Sequence, residues 1–283
     1  MALSSILQER HDGTPPYTEV RLKRLLIRPG AIGDFIVSLP ALESLRSDYT
    51  EVWCPSVTIP LARFADRAIS IASSGIDRLG LVEAGDVIER LRGFDEIHSW
   101  YGTNRPDFRE FVFSLGLPFQ FYNALPNAAR MHAVDYYLAQ VNAAAGAWPR
   151  ILLQPLVKES LAVLHPFSGS ARKNWPMARW LELAKLLEAR MPVRWCCGPE
   201  DDLPGAVVIP DLGDLAQWLA QARVFIGNDS GITHLAATVG TETIALFGPT
   251  NAAVWAPRGD RVTVICNPRM EDIAAESVAE AVT

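Results

Sequence analysis

The stretch Phe225-Ile226-Gly227-Asn228-Asp229-Ser230-Gly231-Ile232-Thr233-His234-Leu235 decides the fold. An apolar run of strand character ends in small polar residues, and a helical spacing of Ile232, Leu235, Ala236 and Val239 begins at once. A strand that turns straight into a helix aims free backbone N–H groups, and the positive end of the helix dipole, at one point. Asp229, Ser230 and His234 surround that point. The corner suits an anion that also carries hydroxyls, such as the diphosphate and sugar of a nucleotide sugar. Asn, Asp and Ser are also ordinary helix caps, so a capped helix after a buried strand fits the same residues.

Outward from this corner the chain alternates strands and helices. Strands are expected at 22–27, 68–72, 96–100, 161–165, 193–197, 207–209, 224–227, 243–247 and 262–266. Helices are expected at 34–45 (broken or opened near Pro40), 132–145, 176–190, 215–222 and, closing the chain, 272–282. Strand signals between residues 50 and 130 are weak, so the front half reads as thinly cored. Gly146, Pro149 and Pro155 mark a hinge. The fold expected is α/β, with two doubly wound parallel sheets facing a cleft. The divisions are a loose leader at 1–20, one domain at 21–150, a second at 151–270 and a closing helix at 271–283.

In doubly wound sheets, ligands bind beyond the carboxyl ends of the strands. The polar and glycine-rich residues fall there. Arg28-Pro29-Gly30-Ala31-Ile32-Gly33-Asp34 follows the first strand and places Asp34 at a helix start facing the cleft, although Asp34 also serves as a plain cap. The segment lacks the G-x-G-x-x-G spacing, so a nicotinamide cofactor is not supported. His165 to Pro176 holds a donor-rich loop, Ser168-Gly169-Ser170, then Arg172 and Lys173. Small donors and a lysine at a strand end are what a phosphate requires, and the lysine can neutralise a departing diphosphate. A solvated loop with incidental charge fits equally. Glu200, after Gly198-Pro199, can accept from ribose hydroxyls or be an exposed turn residue. Phe247-Gly248-Pro249-Thr250 is a further strand-end turn.

Bulk properties set limits. The chain has 283 residues, 49% apolar and 20% charged, enough for two cored domains. Its net charge of −6 argues against a dedicated nucleic-acid binder. Cys54, Cys196, Cys197 and Cys266 form no C-x-x-C pair and read as buried thiols. No apolar run reaches membrane-spanning length, and Met1 to Arg10 lacks signal-peptide character, so a cytoplasmic location is expected.

Arg28 to Asp34 followed by Ser38-Leu39-Pro40-Ala41-Leu42 resembles the opening of the ADP-heptose:lipopolysaccharide heptosyltransferases, glycosyltransferase family 9. His165–Pro176, Phe225–Leu235 and Ala245–Thr250 resemble that family's nucleotide-sugar half in the same order, and Arg130-Met131-His132-Ala133-Val134-Asp135 is similar too. The resemblance implies a GT-B enzyme of two Rossmann-like domains: a shortened acceptor-side N-terminal domain and a nucleotide-sugar-binding C-terminal domain. It implies an inverting, metal-independent transfer of a sugar, heptose from ADP-heptose foremost, to a hydroxyl of a lipopolysaccharide-core-like or other glycan acceptor, with no cofactor beyond the donor. Asp34 would be the general base and Lys173 would stabilise the leaving group. Ser168, Gly169, Ser170 and Lys173 would contact phosphates and Glu200 the ribose. Asp229, Ser230, Gly231 and His234 would hold the diphosphate and sugar. A glycolipid acceptor would bring peripheral contact with the inner membrane surface, aided by Arg21, Lys23, Arg24, Arg63 and Arg67. The absence of glutamate between Thr243 and Met270 argues against a retaining GT-B enzyme. A non-catalytic nucleotide-sugar-binding homologue, or a sugar-nucleotide epimerase in the same cleft, stays open.

Overall fold

The computed structural model describes residues 21–80, 84–126, 131–154 and 157–283. The expected leader at 1–20, Arg130 and the hinge residue Pro155 lie outside them. The front half runs β1 (Lys23–Ile27), α1 (Ile32–Ser44), β2 (Tyr49–Cys54), β3 (Arg67–Ser70), α2 (Gly85–Arg92), β4 (Glu96–Ser99), α3 (Pro106–Ser114), β5 (Phe119–Phe121) and α4 (Ala133–Gln140). The back half runs β6 (Glu159–His165), α5 (Met177–Glu188), β7 (Val193–Trp195), α6 (Leu212–Gln221), β8 (Ala222–Asn228), α7 (Gly231–Thr238), β9 (Glu242–Phe247), α8 (Ala252–Trp255), β10 (Val262–Cys266) and α9 (Ala275–Glu280).

Both sheets are parallel and five-stranded. The first has the order β3-β2-β1-β4-β5 and the second β10-β9-β8-β6-β7. In each, the order reverses beside the first strand, between β1 and β4 and between β6 and β8. Such reversal points open a crevice at the carboxyl ends of the strands. The chain leaves β1 into α1, and β8 into α7, at those crevices, and α1 packs directly on α7. The architecture is two Rossmann-like domains meeting at their ligand-binding edges.

Several elements differ from their sequence reading. The helix from Ile32 to Ser44 is unbroken at Pro40. Proline removes one helical N–H, but Phe35 to Leu42 are all buried, and that packing carries the helix through. Strand β2 is not among the expected strands, since Glu51 interrupts its run of β-favouring residues. Glu51 is nevertheless buried, since Arg90 lies 2.5 Å and the Trp53 indole N–H 2.7 Å from its carboxylate. The front half is not thinly cored: Leu25, Ile27, Trp53, Ile97, Phe108, Val112 and Phe119 form a continuous cluster behind the sheet. The expected strand at 207–209 reduces to a single bridge between Val207 and Cys196. Cys266 is exposed on the edge strand β10, while Cys54, Cys196 and Cys197 are buried thiols.

Helix α4 ties the halves together. It packs on α1, and its Asp135 makes a two-pronged pair with Arg258, at 2.9 and 2.6 Å. His132, its N-cap, accepts from the Val134 N–H through Nδ1, so the ring proton sits on Nε2 and is donated to the Ala256 carbonyl at 2.8 Å. The Asp135–Arg258 pair is partly exposed, which limits its worth to about 1 kcal/mol. A double-mutant cycle of Asp135→Asn and Arg258→Met, read by chemical denaturation, is expected to give a coupling of about that size. A coupling of zero would show that the pair does not hold the halves.

Candidate active site at the two helix N-termini

The site is built where α1 and α7 meet. A Cβ placed on Gly231 would lie 2.8 Å from Ile32 Cβ and 2.9 Å from Gly33 N, so only glycine permits this approach. Gly30, at φ +121°, turns the chain from β1 into α1. The Asp34 carboxylate, on the first turn of α1, accepts from the Ala31 N–H at 3.0 Å. Beneath it Arg28 is buried and holds the turn with donors to the Ser38 hydroxyl, the Pro29 and Asp34 carbonyls and the Tyr137 hydroxyl, at 2.9–3.0 Å. On the other side Ser230 caps α7 by accepting from the Thr233 N–H. Asn228, fully buried, accepts from the Trp175 N–H and donates to the Pro166 carbonyl, which fixes the loop after β6 against the end of β8.

Two cavities adjoin at this junction. The larger, about 510 Å³, lies towards the β6 side. Its walls are Phe167, Cys196, Cys197, Ile209, Leu212 and Leu215, with Val57 from the front half, and Glu200 and Asp201 supply polar groups. The smaller, about 340 Å³, gathers Asp34, Lys173, Asp229 and His234, with Leu125, Thr250 and Trp255 on its walls. Ala31, Gly33, Gly169, Ser230 and Gly231 line both. A ligand passing from one chamber to the other therefore crosses the N-terminus of α7.

Electrostatics separate the two carboxylates of the smaller chamber. Asp229 is buried, and its Oδ2 lies 2.8 Å from Lys173 Nζ, close enough for an ion pair but off the direction of a hydrogen bond. Asp34 is half-buried and has no salt-bridge partner among the described residues. His234 is buried beside them. Desolvation pushes its pKa down to about 4 against the opposing pull of Asp229, so the imidazole is neutral. His165, at the end of β6, is likewise pushed down to about 4 by burial, with Asp201 opposing. Burial also lowers His132.

Most residues singled out from the sequence converge here. Ser168 and Gly169 line the larger chamber with Glu200, and Asp229, Ser230, Gly231 and His234 surround the smaller with Asp34 and Lys173. Ser170 lines neither: it precedes a short turn, and its carbonyl accepts from the Ser168 hydroxyl. Asn174 Oδ1 lies within reach of the same Ser168 proton, which the two acceptors share. The walls Val57, Leu125 and Trp255 carried no usable sequence signal, because they come from a short 3-10 turn, a loop and a four-residue helix without periodicity, whereas Ile209 ends the segment expected as a strand. Of the basic residues considered for a membrane surface, Arg24 pairs with Glu96 and Arg67 lies 3.8 Å from Glu51. Among the described residues no helix is long and apolar enough to cross a membrane.

A pair of Rossmann-like domains with a two-chamber cleft between facing helix N-termini defines a GT-B protein. The sequence matches the profile of Glycosyltransferase family 9 (heptosyltransferase) over residues 126–281, more than half of the chain, and the chain belongs to that family. It is 39% identical over 92 residues to Lipopolysaccharide heptosyltransferase 1 of Pseudomonas aeruginosa, covering 28% of this chain and 26% of that protein. It is 25% identical over 220 residues to Lipopolysaccharide heptosyltransferase 1 of Salmonella typhimurium, covering 68% of this chain and 66% of the relative. The matches thus span from about a quarter to about two thirds of these curated relatives. Among solved structures, Escherichia coli ADP-heptose lps heptosyltransferase II superposes with a TM-score of 0.69 at 18% identity, over 92% of this chain and 97% of the other. The E. coli heptosyltransferase WaaC with ADP superposes at 0.68 and 17% identity, over 92% and 98%.

Two buried neutral histidines make stability depend on pH. Their folded pKa values lie below the unfolded value of about 6.5, so between roughly pH 6.5 and 4 the unfolded chain binds protons that the folded chain refuses. Stability is therefore complete above pH 6.5 and falls as pH drops through this window, at about 1 kcal/mol per pH unit per histidine. Denaturation midpoints between pH 6.5 and 5 should fall steadily in the wild type and less steeply in His234→Gln. Parallel slopes would show that His234 is not held neutral.

Proposed function

We propose that this protein is an inverting glycosyltransferase that moves a sugar, heptose from ADP-heptose foremost, to a hydroxyl of a glycan acceptor. The single observation carrying this reading is the meeting of the two chambers at the α7 N-terminus. A nucleoside enters the larger chamber against its apolar wall, with Glu200 at the ribose. The diphosphate crosses at the Ser230 and Gly231 amides, where the helix dipole favours an anion. The sugar then lies in the smaller chamber among Asp34, Asp229 and His234. Two neighbours of the same architecture bear names that fit, one with ADP and one acting with ADP-heptose.

In the reaction proposed, the acceptor hydroxyl attacks the anomeric carbon from the face opposite the diphosphate. The new C–O bond forms as the bond to the phosphate oxygen breaks, with inversion. The hydroxyl proton passes to the Asp34 carboxylate, which faces the chamber from the acceptor-side half. Asp229 is less suited as the base because it is the more deeply buried carboxylate and lies beside the Lys173 ammonium. The electron pair leaves on the diphosphate, where Lys173 and the α7 N-terminus stabilise the added charge. In this reading these groups stabilise the leaving group without a metal ion or cofactor. Neutral His234 can hydrogen-bond sugar hydroxyls without adding a charge. A glycolipid acceptor, as the names of the relatives suggest, would bring the protein to the cytoplasmic face of the inner membrane through the acceptor itself.

Asp34→Asn should retain donor affinity while transfer to a glycan acceptor falls by about 10³-fold or more, measured by release of nucleoside diphosphate. Equal losses of binding and rate would contradict the base assignment. Lys173→Ala should weaken nucleoside diphosphate binding by about tenfold or more in calorimetry. Unchanged affinity would remove lysine from the phosphate site.

A further inference from the structure

The smaller chamber is lined by unlike groups: Asp34, Asp229 and His234 are polar, and Trp255 and Leu125 are apolar. A pyranose has the same duality, with hydroxyls around its rim and C–H groups on its faces. Trp255 is positioned with care for a residue in so short a helix. Asn251 caps α8 through its side chain, which accepts from the Ala253 N–H at 3.1 Å, and the Asn251 carbonyl accepts from the Trp255 N–H at 3.1 Å. The indole packs partly against the core shared by α1 and α7. The next residues are gripped by the other half of the molecule: Ala256 O by His132 and Arg258 by Asp135. The segment from Asn251 to Arg258 is thus a strap rooted at the end of β9 and fastened to α4.

We propose that Trp255 is the sugar-selecting wall of the transfer chamber, a platform for the C–H face of the transferred sugar whose position is set by both halves. The proposal rests on the sugar lying in the smaller chamber as argued above. Its content is that Trp255 contributes to the sugar alone and nothing to the nucleoside diphosphate, because it lines only the chamber that holds Asp34 and not the one that holds Glu200. An aromatic side chain suits the role, since it offers a large rigid face at low entropic cost.

The test compares two ligands on three variants by calorimetry, ADP and ADP-heptose, with folding checked by thermal unfolding. Trp255→Leu and Trp255→Ala should leave the ADP dissociation constant within about twofold and weaken ADP-heptose by about tenfold. Trp255→Phe should recover most of that loss, which bulk alone in the leucine variant should not. If leucine and phenylalanine perform alike, or if ADP weakens as much as ADP-heptose, the platform is refuted. A wild type that binds ADP tightly but gains nothing from the sugar would also refute it, while leaving the nucleotide reading intact. A wild type that binds neither ligand would overturn both.

Discussion

Two helices meet end to end in this protein, and the rest of the molecule is arranged around that meeting. Gly33 at the start of α1 and Gly231 at the start of α7 approach so closely that a methyl group on Gly231 would collide with Ile32 and the backbone. Each N-terminus carries a partial positive charge, and like ends repel. Buried Arg28 and half-exposed Lys173 add to the positive character. Asp34 and Asp229 offset it, one on each side. What remains on the line between the two cavities is the backbone of the two helix N-termini, whose dipoles favour an anion. The nucleoside diphosphate sugar proposed as donor, an anion with a neutral group at either end, has the shape for this line.

The junction needs both domains in register, and α4 supplies this. It lies against α1, yet its first turn is bonded to the back half through His132 and Asp135. Tyr137 on the same helix bonds Arg28, which in turn holds the carbonyl of Asp34. A displacement of α4 would therefore be felt at the carboxylate proposed as base and at the strap that carries Trp255. In the transfer proposed, this one helix would orient the groups that meet both substrates.

Much of this was legible in the chain because strand-to-helix corners have a local signature. Phe225 to Leu235 shows the apolar run, the capping residues and the helical spacing in eleven consecutive residues, and the structure places strand, turn and helix accordingly. The residues proposed for the donor stand at strand ends, so Ser168, Glu200, Asp229 and His234, which line the two chambers, could be singled out without a structure. Strand β2 escaped notice because Glu51 breaks its apolar run, and Arg90, 39 residues away, together with the Trp53 indole N–H makes that burial tolerable. Pro40 signalled a break that tertiary packing overrode. Trp255, Leu125 and Val57 were invisible for a different reason. They reach the cleft through tertiary placement of loops and a single helical turn, for which no periodicity exists. Ser170 shows the converse: a suitable residue in a suitable loop whose local turn leaves it outside both chambers.

The central claim is that a diphosphate bridges the two chambers across the α7 N-terminus. A crystal structure of the protein with bound ADP tests it most directly. The account requires phosphate oxygens on the Ser230 and Gly231 amides and near Lys173, with the ribose towards Glu200 and the adenine against Leu212 and Leu215. An adenine found in the chamber of Asp34 and His234, or phosphates bound away from α7, would contradict it.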